Sequence, residues 1–78
     1  MSTLPEAVTR AVKGWRATGD DYTAWVWFHA STQEERNAVD QYLVDSQNPL
    51  AMEPGTAEQR FRRLVDEVRF GIHKEPQS

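Results

Sequence analysis

Imidazole is the side chain best suited to moving protons near neutral pH, and this 78-residue chain carries two, His29 and His73. His29 ends an aromatic run and has no partner motif of the kind a general base needs, and His73 beside Lys74 suits a helix C-terminus, where a cation meets the dipole. With no cysteine, thiolate nucleophiles, thiolate metal sites and disulfides are excluded. The carboxylates Glu34, Glu35, Asp40 and Asp45 lack the alternating acidic spacing, central glycine and terminal glutamate of a calcium loop, so they read as a solvated helix face. The residues therefore point to no enzyme, no metal and no cofactor. Two groups are left that can act by contact.

The first is aromatic. Asp21 to His29 holds Tyr22, Trp25, Trp27 and Phe28, four of the eight aromatic residues of the chain. As a helix, the segment places Tyr22, Trp25, Val26 and His29 on one side, Phe28 at the margin and Trp27 on the far side. As a strand, it splits Tyr22, Ala24, Val26 and Phe28 from Thr23, Trp25, Trp27 and His29. β-Propensity favours the strand, but no second strand is available to pair with it, and the helix is preferred. On that reading Tyr22 and Trp25 are core, and Trp27 is left facing outward. An exposed tryptophan is a frequent anchor of protein interfaces. The expected contact surface is Trp27 with Thr23, Phe28 and Phe70.

The second is basic. Arg60, Arg62, Arg63 and Arg69 lie on the polar sides of a C-terminal helix, and with Arg10, Lys13 and Arg16 they would form a stripe for nucleic acid. Against this stand a net charge of −3 and a pI near 5.2, because affinity for nucleic acid comes largely from neutralised phosphates. The helix that a compact helix-turn-helix would use as its reader, after Ser31, is also acidic. The acidic stretch Ser31 to Asp45 and the basic stretch Gln59 to Lys74 would either face each other or present surfaces of opposite sign.

The elements that must position these groups follow from apolar spacing and capping residues. Leu4, Val8, Ala11, Val12 and Trp15 share one helical arc over about residues 4–17, with Thr3 and Glu6 as a capping box, Pro5 in the first turn and Gly19 as the stop. Ser31-Thr32-Gln33-Glu34 caps a helix over about residues 32–46, with Ala38, Val39, Tyr42 and Leu43 inward. Residues 47–55, with two prolines and a glycine, form a loop that Leu50 and Met52 tuck onto the core. Thr56 and Gln59 cap a last helix with Ala57, Phe61, Leu64, Val65 and Val68 inward, and Gly71 ends it. Residues 74–78 are expected to fray.

The fold class is thus an all-α bundle of three to four helices spanning one domain, residues 1–78, near the lower size at which a core suffices without a staple. No leader or membrane span is expected, and the simplest location is the cytoplasm. The functional expectation is a non-catalytic protein-binding module, a small regulator or inhibitor of a protein partner or a homodimer. Its small size, acidity and lack of cysteine are similar to those of the modulators made by phages and other mobile elements. The alternatives are a nucleic-acid-associated regulator using Arg60, Arg62, Arg63 and Arg69, and a subunit of a larger assembly.

Overall fold

The computed structural model describes residues 4–72, which form four α-helices and no strand: α1 (Glu6–Thr18), α2 (Thr23–His29), α3 (Gln33–Asp45) and α4 (Ala57–Arg69). A 3₁₀ turn, Pro49–Met52, interrupts the long connection before α4. The all-helical expectation holds, and the aromatic run is a helix. Thr3 of the first expected capping box, together with His73 and the tail 74–78, lies outside the described residues.

Local chemistry sets each boundary. Gly19 takes a left-handed conformation (φ 81°) and its N–H donates to the Trp15 carbonyl at 2.7 Å, closing α1 as a C-terminal glycine does. The α3 capping box sits one residue later than expected: Thr32 accepts from the Glu35 N–H at 3.1 Å, and Glu35 accepts from the Thr32 N–H at 2.8 Å. Ser31 is drawn away because its hydroxyl donates to the Trp27 carbonyl at 2.7 Å, satisfying the end of α2 instead. At α4 the Thr56 and Gln59 box forms as expected, with bonds of 3.1 and 3.2 Å. Asn48 caps the 3₁₀ turn through the Leu50 N–H at 2.9 Å.

The core lies where the stripes of all four helices meet. Val8, Ala11 and Val12 of α1, Val26 and Trp27 of α2, Val39, Tyr42 and Leu43 of α3, Leu50 of the connection, and Phe61, Leu64 and Val65 of α4 are buried together. Phe61 and Leu64 are fully enclosed, as their central place in the α4 stripe requires. Leu50 tucks inward as expected, whereas Met52 is 88% exposed, because the short turn can point only part of its apolar content at the core. Ala38, expected on the inner face of α3, is also exposed; the buried stripe there is Val39, Tyr42 and Leu43. The acidic and basic helices do meet, through Arg60 Nε and Asp40 Oδ1 at 3.3 Å.

Candidate functional site

α2 has seven residues, too few to hold a helix in water by backbone bonds alone. Charged side chains from its neighbours hold both ends. At the N-terminus the Asp21 carboxylate accepts from the Thr23 N–H at 2.9 Å, and Arg69 of α4 lies 3.7 Å from Asp21. At the C-terminus two guanidinium groups meet the last carbonyls. Arg10 of α1 donates to the Ala30 carbonyl and pairs with Glu35 of α3 at 3.0 Å. Arg36 of α3 donates to the Trp27 carbonyl at 3.0 Å and the Ser31 carbonyl at 3.2 Å, and its guanidinium lies 5.8 Å from the Trp27 ring centroid. Cations are favoured at this end because the unpaired carbonyls carry partial negative charge.

Those clamps choose the inward face, and it is the one opposite to expectation. Thr23, Val26 and Trp27 point into the bundle, with Thr23 at 4% exposure and Trp27 at 8%. The Trp27 ring lies 4.9 Å from that of Phe61, centroid to centroid, and Arg36 covers its edge of the core. Trp27 and Thr23 are therefore not available on the surface, and Trp25, expected in the core, is 56% exposed. Two positions on a helix lie about 200° apart, so Trp25 and Trp27 cannot share a face, and the direction of α4, whose Phe61 meets the Trp27 ring, decides which of them is buried.

Phe28 does lie on the outer face, 57% exposed, one helical turn from Trp25, and His29 is exposed on the same side. Around Trp25 the ring contacts continue to Tyr22 (6.4 Å, edge-on) and His29 (6.3 Å). Between α1 and α2 a shallow groove of about 240 Å³ is lined by Arg10, Gly14, Tyr22, Trp25 and Val26. Gly14 makes the groove possible: a Cβ there would stand 2.9 Å from Tyr22 Cδ2, so any larger residue displaces the Tyr22 ring. Sequence reasoning missed Trp25, Gly14 and Arg10 as a group. The available signal was the pattern Thr23, Val26, Trp27, Ala30, which has the spacing of an inward helical stripe and leaves Trp25 and Phe28 outside.

Phe70 is 60% exposed but belongs to a separate cluster. Its ring meets Trp15 edge-on at 5.9 Å, and the Arg69 guanidinium lies 4.7 Å from Phe70 and 5.6 Å from Trp15. This stack joins the ends of α1 and α4, and Arg69 completes it through Asp66 at 2.7 Å. The arginines of α4 are likewise engaged: Arg60 pairs with Asp40, Arg62 with Glu58 at 3.3 Å, and Arg63 with Glu53 at 3.5 Å. A depression of about 300 Å³ beside Arg60, Arg62 and Arg63 also holds Glu53. Charges spent on neighbouring carboxylates are less available to phosphates.

Two carboxylates are held below their ordinary range. Hydrogen bonds from the side chain and backbone of Thr23 lower the Asp21 pKa, with Arg69 adding to the effect. Glu35 is lowered mainly by its bond to Arg10 and then by the Thr32 N–H. Both shifts belong to the clamps on α2 and the start of α3. Among the described residues, no three His, Asp or Glu side chains gather as a metal site, and no helix is long and apolar enough to cross a membrane. Compared with known proteins, the chain matches no family model, no curated protein and no solved structure.

Proposed function

We propose that this chain is a non-catalytic protein-binding module whose contact surface is the outer face of α2, with Trp25 and Phe28 as anchors. The single observation that carries the reading is that both large aromatic side chains are more than half exposed on a helix fixed at each end. Leaving that much apolar area in water is unfavourable in the free protein, and a partner that covers it recovers the hydrophobic free energy. Fixing the helix beforehand lowers the ordering cost of association, so more of the contact energy appears as affinity. The expected surface is thus kept in kind and moved in place, from Trp27 to Trp25. Regulation or inhibition of the partner would follow from occupying its surface.

The nucleic-acid reading is weakened by the ion pairs of Arg60, Arg62, Arg63 and Arg69 with Asp40, Glu58, Glu53, Asp21 and Asp66. The test is affinity capture from a lysate of the source organism with the wild type, Trp25→Ala and Phe28→Ala, each checked for an unchanged melt. A protein retained by the wild type and lost from both variants supports the proposal. Retention unaffected by either substitution refutes it, and captured nucleic acid that Arg62→Ala releases would favour the alternative.

A further inference from the structure

The end of α4 and the start of α2 meet over one side chain, Arg69. Gly71 takes a left-handed conformation (φ 75°), the Ile72 N–H donates to the Glu67 carbonyl at 2.9 Å and the Gly71 N–H to the Val68 carbonyl at 3.3 Å, so α4 closes in the doubly bonded turn that a C-terminal glycine allows. That turn sets Phe70 edge-on against Trp15 of α1. Apolar burial holds it down weakly, since Phe70 is 60% exposed and Ile72 68%. The Arg69 guanidinium adds a second hold: it lies against both rings, pairs with Asp66 of its own helix at 2.7 Å and reaches across to Asp21 at 3.7 Å, with 13% of its side chain exposed. Asp21 is the residue whose carboxylate accepts the Thr23 N–H and so caps α2.

Two features make this a contact that opens. Arg69 Nε is buried and has no hydrogen-bond acceptor among the described residues. An unmet buried donor is unfavourable, and water satisfies it once the side chain lifts away. The seven residues of α2 cannot keep their first turn by backbone bonds alone, so that turn depends on the Asp21 cap and on neighbouring side chains. We infer that Arg69 is a latch between the two helix ends: when the C-terminal turn of α4 lifts from Trp15, Arg69 leaves Asp21 and the first turn of α2 loosens in the same event. Segments with little apolar burial are those that open locally while the rest of a domain stays folded. The far end of α2 is held separately by Arg10 and Arg36, which confines the opening to its start. One consequence rests on the proposed α2 surface: a partner that needs α2 fixed draws the latch shut, and by reciprocity a closed latch strengthens binding.

Native-state hydrogen exchange of assigned amides in the free protein tests the latch without any partner, so its failure leaves the proposed α2 surface standing, and loss of that surface leaves the latch standing. The reporters are Ile72 at the end of α4 and, in the first turn of α2, Thr23 and Val26, whose N–H groups donate to Asp21 and to the Tyr22 carbonyl; fully buried Leu43 of α3 is the control. Phe70→Ala changes the α4 end alone. It should speed exchange at Ile72 by at least about fivefold and at Thr23 and Val26 by about twofold to fivefold, the size expected of a partly exposed ion pair, with Leu43 unchanged. Arg69→Gln cuts the link and should speed the same amides, and adding Phe70→Ala to it should change Thr23 and Val26 no further. Two independent contacts would not show that non-additivity. A Phe70→Ala variant that leaves Thr23 and Val26 unchanged, or effects of the two substitutions that simply add there, overturns the latch. So does acceleration of Leu43 to the same extent, or an Arg69→Gln chain that fails to fold, because the contact is then global rather than local.

Discussion

Replacing Trp27 and Trp25 by alanine, one at a time, should give opposite results from chemically identical changes on the same short helix. Trp27 is 8% exposed, stacks on Phe61 at 4.9 Å and receives Arg36 over its ring. Truncating a buried Trp or Phe typically costs about 3–5 kcal/mol through lost burial and the cavity left behind. Domains of this size have about 4–12 kcal/mol of total stability at about 0.05–0.15 kcal/mol per residue, so Trp27→Ala removes a large share. At about 4–8 °C per kcal/mol for a domain of this length, the melting temperature should fall by at least about 12 °C. Trp25 is 56% exposed and packs only edge-on against Tyr22 and near His29, so Trp25→Ala should cost at most about 0.5–1 kcal/mol. Thermal and urea unfolding followed by circular dichroism measure both. A Trp25→Ala variant that loses as much as Trp27→Ala, or a Trp27→Ala variant that melts within a few degrees of wild type, would refute the assignment of the inward face.

Three further outcomes follow from the same contacts. Thr32→Ala removes half of the α3 capping box and should lower stability by about 1 kcal/mol, read as a shift of the urea midpoint with unchanged slope. Arg36→Ala strips the Trp27 and Ser31 carbonyls of a charged donor and should cost about 1.5–3 kcal/mol, and Arg36→Lys should restore little because one ammonium cannot span both carbonyls. Asp21 and Glu35 titrate lower in the folded protein than their ordinary values of 3.8 and 4.5, so their contribution is complete above those values. It is lost as pH falls through the folded-state range; Asp21→Asn with Glu35→Gln should be less stable at neutral pH and show a shallower acid decline, measured by melts across pH.

How much of this was legible in the sequence depended on how many cues each element carried. α4 has a capping box, an amphipathic stripe and a terminal glycine, three independent cues that agree, and its core residues and limits followed directly. In α3 two adjacent hydroxyl residues compete for one cap, and only the carbonyl of Trp27 waiting for Ser31 decides between them. α2 is the hard case. Its composition is so apolar that either face could be buried, and a stripe with Tyr22 and Trp25 competes with one containing Trp27. The choice is made by tertiary partners that lie far along the chain, Phe61 and Arg36, together with the turn imposed by Asp21. A seven-residue helix has too little length for periodicity to settle its orientation.

If the outer face of α2 meets a protein partner, as we propose, site-specific photocrosslinking from that face will capture it. A benzophenone side chain is placed at position 25 or 28, and at the exposed control positions Gln41 and Arg63, and each protein is irradiated in a lysate of the source organism. Positions 25 and 28 should yield one discrete adduct with the same partner protein, absent from both controls. An adduct formed from position 41 or 63 and not from 25 or 28 would place the contact elsewhere, and no adduct at any position would contradict a role for this face in binding.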